Sequence, residues 1–183
     1  VNQITVAELN EMQAAGWTIV PHQTIGTALT SMTEAEMRAE IDEVLAVHAS
    51  YGWTYKDFFY PAGGAGNDLS KQVMASDGIR YANNANTGNL QKSQPLYGGT
   101  INPYRMWSYT ADGKTASEVA TAINHAIKYG GSLGILWHDG DGTDEAAFKA
   151  SIDYLYRLRE ANVIDLVNYD TFFKRFSNPR KAR

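Results

Sequence analysis

Gly134-Ile135-Leu136-Trp137-His138-Asp139 decides how this chain is read. These residues close a short apolar run, Leu133 to Trp137, that reads as a buried strand. Gly140 to Thr143 read as a loop, and a helix is expected to start near Asp144. A histidine and an aspartate at the C-terminal end of a buried strand sit where an α/β fold places its chemistry.

Working outward, helix-period and strand-like segments alternate, as in an α/β fold. Three helix starts carry one signature: Thr5 with Glu8, Thr33 with Glu36, and Thr115 with Glu118. In each, the hydroxyl and the carboxylate can satisfy amides that a helix start leaves unpaired. The patterns predict helices over about Val6 to Ala15, Glu34 to Ala49, Leu69 to Ala75, Ser117 to Lys128 and Glu145 to Glu160. Gly16 is a natural stop for the first. Strands are expected at Trp17 to Val20, Asp57 to Tyr60, Ile79 to Ala82, Met106 to Tyr109, Leu133 to Trp137 and Val163 to Val167. Asn83 to Asn102 reads as a long polar loop. The glycines of Pro61 to Asn67 are too few and wrongly placed for a phosphate-binding fingerprint.

The 183 residues predict a single domain, with 44% hydrophobic and 20% charged residues, as in an ordinary globular protein. A net charge of −4 argues against a general nucleic-acid binder. No apolar stretch approaches the roughly 20 residues that span a bilayer. The absence of cysteine excludes disulfides, thiolate metal sites and a cysteine nucleophile. The chain opens on Val1 without a methionine or a secretion signal, which reads as a processed or trimmed product.

Of four histidines, His48 and His125 fall inside predicted helices and read as structural or solvated. His22 and His138 end predicted strands, which places them on one rim of the sheet. Each alone is balanced between a satisfied strand-end histidine and a functional one, and the shared rim favours function.

Several segments together resemble the polysaccharide deacetylase family, the NodB homology domain of carbohydrate esterase family 4. Glu8 to Ile19 resembles the helix and strand before its metal-binding motif. His22-Gln23-Thr24-Ile25-Gly26 falls where members carry two histidines separated by three residues. Thr30 to Ile41 resembles the segment that follows, Phe58-Phe59-Tyr60-Pro61-Ala62-Gly63 the family's Tyr-Pro-Tyr-Gly loop, and Gly134 to Asp139 its final Leu-x-His motif. The resemblance spans almost the whole chain. It implies a partial or irregular β/α barrel of the NodB-like type, with His22, Ala62 and His138 on one rim.

The chemistry implied is hydrolysis of acetyl groups on a cell-surface polysaccharide, assisted by Zn²⁺ or a similar divalent cation. By position, His22 would be a metal ligand and His138 the general acid that protonates the leaving amine. The Ala62 amide would hold the oxyanion. Arg105 would orient a carboxylate, and Tyr60, Pro61 and Trp137 would line the substrate site. The partner implied is an acetylated polysaccharide, and the location extracellular, at a cell surface or on a virion.

Two departures shape the expectation. The family's opening strand, with its Asp-Asp pair, has no counterpart here, so the chain reads as a C-terminal portion. Gly26 stands where the second histidine is expected. Asp139 and Asp141 lie on the wrong motif to replace the missing pair. Weak or absent cation binding and little activity of this chain alone are therefore expected. The alternative is a non-catalytic carbohydrate-binding or structural module of a cell-surface or virion protein. It draws on the four Trp, eleven Tyr and six Phe, including Trp53, Tyr55, Tyr97, Tyr104 and Trp107.

Overall fold

A computed structural model describes residues 4–55, 57–59, 61, 67–86, 106–138 and 144–176. The protein is mixed α/β and mostly helical, and divides into two compact units. Unit 1 comprises Val1–Ala85 and Ile101–Met106; unit 2 comprises Asn86–Thr100 and Trp107–Arg183.

In unit 1, α1 (Val6–Ala14) and α2 (Glu34–Ser50) start on Thr5 and Thr33, and both expected capping boxes are present. The Glu8 carboxylate accepts from the Thr5 amide at 2.7 Å, and that of Glu36 from the Thr33 amide at 2.8 Å. Gly16, at φ 96°, follows the end of α1 in a conformation that a side chain would strain. The chain continues through a single 3₁₀ turn, Leu29–Ser31, before α2. Strand β1 (Phe58–Phe59), helix α3 (Asp68–Ser76) and strand β2 (Tyr81–Asn86) follow. β1 and β2 pair in parallel, Phe59 opposite Ala82. The core joins Leu29, Met37, Ile41 and Val44 to Phe59, Val73, Met74 and Ile79. The apolar stripe of α2 therefore covers α3 and the strand pair. Helix α1 buries no residue. A tie on it is the Trp53 indole, which donates to Asn10 at 2.8 Å.

Unit 2 repeats the strand–helix pattern. Strand β3 (Met106–Thr110) leads through a tight turn to α4 (Ala116–Tyr129), whose capping box at Thr115 and Glu118 is the third expected one. Gly130, at φ 63°, closes α4. Strand β4 (Gly134–Leu136) pairs in parallel with β3, and α5 (Glu145–Glu160) packs on α4. Tyr109, Val119, Ala122 and Ile123 form the core, flanked by Ile135, Trp137 and Leu155. Helix α6 (Tyr169–Phe176) ends the described chain.

Several expectations need correction. Residues 17–20 form no strand, and Trp17 is 55% exposed. Residues 163–167 form none either, and Val163 and Leu166 face solvent. Both have strand-like composition, but β-structure requires a partner backbone, and neither has one among the described residues. β4 is half-buried rather than buried. β2 runs on through Asn83 to Asn86, where a loop is expected. Asparagine is a poor strand former, yet Asn83 is buried. Helix α6 is a further departure, although Asn168, whose side chain accepts from the Thr171 amide at 2.9 Å, is a legible cap. Among the described residues the strands do not close into a barrel. No described helix is long and apolar enough to cross a membrane.

Candidate functional site

β3 and β4 run side by side in register, Ser108 opposite Gly134 and Thr110 opposite Leu136. The Ala111 amide donates to the Leu136 carbonyl at 2.8 Å. Two residues past the last paired positions, the same register brings Asp112 opposite His138. There a side chain takes over from the backbone. Asp112 Oδ1 accepts from the His138 amide at 2.7 Å, and Oδ2 accepts from His138 Nδ1 at 2.5 Å. A carboxylate only accepts here, so Nδ1 carries a proton and donates it to the hydrogen bond. The Asp112 side chain is 15% exposed and that of His138 43%. The carboxylate is thus held inside while the ring reaches solvent, at the strand ends where α/β folds bind ligands.

Local sequence accounts for Asp112. The Lys114 amide donates to the Ala111 carbonyl at 3.0 Å, closing a turn around Asp112-Gly113. Gly113 takes φ 65°, which this turn asks of its third residue. Thr115 then starts α4. Sequence reasoning passed over Asp112, although an acid in the turn after a strand beside the His138 strand is itself a signal. Finding it required knowing that β3 and β4 are neighbours.

His22 belongs to unit 1 and is exposed. Its Nδ1 donates to the Gln23 carbonyl at 2.6 Å. Gln23 is buried, and its side chain donates to the Thr27 carbonyl at 2.7 Å, closing the loop. A Cβ added at Gly26 would meet nothing within 4 Å. Packing therefore does not demand glycine there, and the position supplies no donor. The donor set of this loop does not fit a three-ligand cation site, because His22 brings one imidazole nitrogen and Gly26 none.

The remaining expected residues are distributed as follows. Trp137 is half-buried and meets Phe148 edge to face at 5.2 Å, beside the unit 2 core. Pro61 is buried. Tyr60, Ala62 and Arg105 lie outside the described residues, as do Asp139, Asp141, Tyr97 and Tyr104. Trp53, a candidate for sugar stacking, is instead buried against His48 with ring centroids 5.2 Å apart. His48 is structural: buried in α2, its Nδ1 donates to the Trp53 carbonyl at 2.9 Å. Burial pulls its pKa below the ordinary 6.5, opposed in part by the Trp53 and Ile19 carbonyls. His125 meets Tyr129 in a tilted ring contact, centroids 4.6 Å apart.

A scan of the chain against protein-family models and a search among curated proteins find no match.

Proposed function

We propose that this chain is a polysaccharide deacetylase-like domain, part of an irregular β/α barrel, that acts on or binds an acetylated glycan outside the cell, at a cell surface or on a virion. The observation that carries the reading is the Asp112 grip on His138 at the ends of two adjacent parallel strands. In amide hydrolysis the carbon–nitrogen bond breaks only when the leaving amine gains a proton. His138 supplies that proton from Nε2 of the imidazolium. Asp112 holds Nδ1–H, fixes the ring's direction and compensates its positive charge.

The parent reaction takes its nucleophile from cation-bound water. The loop of His22 and Gly26 does not supply the ligands for that, so no step of this chain is derived through a metal. Isolated, the chain is expected to bind acetylated glycan with little or no turnover. The donorless Gly26 favours a second reading, a carbohydrate-binding or structural module that retains the framework without the reaction.

Binding and acetate release separate these. Acetylated and fully deacetylated chito-oligosaccharides are titrated against the chain, and acetate is assayed with divalent metal added. Preference for the acetylated sugar supports the proposal. Acetate release lost in His138→Ala would show a competent enzyme. Equal binding of both sugars without release favours the module. No binding and no release would remove both readings.

A further inference from the structure

The loop that carries His22 is organised by a buried carboxylate. Glu40 lies in α2 with 3% exposure. Its Oε1 accepts from the Thr24 amide at 2.6 Å, the Thr24 hydroxyl at 2.9 Å and the Ile25 amide at 3.1 Å. Its Oε2 is buried and meets no hydrogen-bond partner among the described residues. These bonds of Glu40 all go to the two residues that lie two and three places after His22.

The Thr24 amide shares one planar peptide unit with the Gln23 carbonyl. In a trans unit the N–H and the C=O point in opposite directions, and the described chain contains no cis peptide. That same Gln23 carbonyl accepts from His22 Nδ1. One side of a single peptide plane is therefore held by Glu40 and the other by the imidazole. The Gln23 side chain is itself buried and bonded to the Thr27 carbonyl, which anchors the residue that carries this peptide.

We infer that Glu40 is a positioning residue for His22, acting through the Gln23–Thr24 peptide to fix the ring in its Nδ1–H tautomer with the lone pair on Nε2. A carbonyl only accepts, so Nδ1 must donate. Hydrogen bonds linked through a peptide polarise one another, so the carboxylate on the N–H strengthens the acceptor on the other side. The arrangement follows the logic by which a carboxylate orients a ligating histidine, with one peptide inserted between them. The inference rests on His22 being a functional residue, but its test uses neither metal nor acetyl substrate, so the two can fail separately.

The test is a long-range ¹H–¹⁵N correlation spectrum of the full chain at about pH 8, above the ordinary imidazole pKa of about 6.5. The wild-type chain should show His22 with the Nδ1–H pattern, and any other wild-type pattern overturns the inference. Glu40→Ala should lose that pattern, while Thr24→Val, which keeps the backbone amide, should retain it. Loss in Thr24→Val would assign the effect to the hydroxyl and overturn the peptide relay. His48, whose Nδ1 donates to the Trp53 carbonyl, reports whether unit 1 is still folded. An unchanged His22 in folded Glu40→Ala overturns the inference. Should Glu40→Ala not fold, Glu40→Gln decides: it keeps the length and an acceptor without the charge. A mixed His22 pattern is then expected, and an unaltered one overturns the inference.

Discussion

His138 and His22 are both held at Nδ1, and the holders differ. His138 meets a carboxylate directly, through two bonds that also engage its backbone amide. His22 meets a backbone carbonyl, with the nearest organising carboxylate one peptide away. A full negative charge at Nδ1 compensates an imidazolium, which suits a ring that gives up a proton and regains it. A carbonyl at Nδ1 leaves a neutral ring with an oriented lone pair, which suits a ligand. The contrast teaches that two exposed histidines of one chain can be held at the same ring atom by different acceptors, only one of them, His138, lying just past a strand end. His48 is a third case: it shares the carbonyl bond of His22 but is buried.

The largest expected effect comes from cutting into the core of the unit that carries each histidine. Leu29, fully buried just beyond the His22 loop, should cost about 2–5 kcal/mol as Leu29→Ala. Ile135, half-buried in β4 against the unit 2 core, should cost less as Ile135→Ala. Urea unfolding of both variants measures the pair, and a larger loss for Ile135→Ala would reverse this ranking of the two supports.

Gly26→His would move the His22 loop toward a metal site. Nothing lies within 4 Å of the added Cβ, so folding should be unaffected. Zinc binding by calorimetry should tighten about tenfold or more, equivalent to ~1.4 kcal/mol. No change in affinity would mean that the two rings cannot converge on one ion, and the ligand role of His22 would lose its support.

The buried histidine gives the pH dependence. The folded pKa of His48 is lowered by burial, so the unfolded chain takes up a proton that the folded chain resists. Stability should be level above the ordinary value of 6.5 and decline as pH falls below it. The slope for one proton is at most ~1.4 kcal/mol per pH unit. Glu8, Glu36 and Glu118 act later. Hydrogen bonds from the Thr backbone amides, then from the Thr hydroxyls, lower their pKa values, so their contribution is lost only as pH falls through and below 4.5. Urea titrations between pH 8 and 5 check this, and His48→Gln should flatten the profile there.

Asp112→Ala is the smallest of the four. Its two bonds join a partly exposed ring to a carboxylate, so about 1 kcal/mol of stability should be lost. The tautomer effect should be larger: His138 should lose its Nδ1–H pattern in the ¹⁵N spectrum while His22 keeps its own. Loss of both patterns would mean that the two clasps are not independent.

Much of this organisation is legible in single segments. A capping box needs residues three apart, so Thr5, Thr33 and Thr115 could be placed from sequence, and all three boxes are present. The five expected helices lie within two residues of their observed bounds for the same reason. His138 was legible as a strand-end histidine, whereas Asp112 was not, because its partner lies 26 residues away. Glu40 read only as part of a helix, since its partner loop is 15 and 16 residues distant.

By itself the sequence determined where the helices begin and stop and which faces are apolar, because those choices are made by neighbours within one turn. Only the tertiary structure decided which apolar runs became strands. Trp17 to Val20 and Val163 to Val167 have the composition without a partner strand among the described residues, while Asn83 to Asn86 lack the composition and are strand. It also decided which polar side chains meet, pairing Asp112 with His138 and Glu40 with Thr24. The physical reason is the same in both: a ladder or a clasp needs a second backbone segment, and the register that brings it there is set by packing, not by the residues on either side.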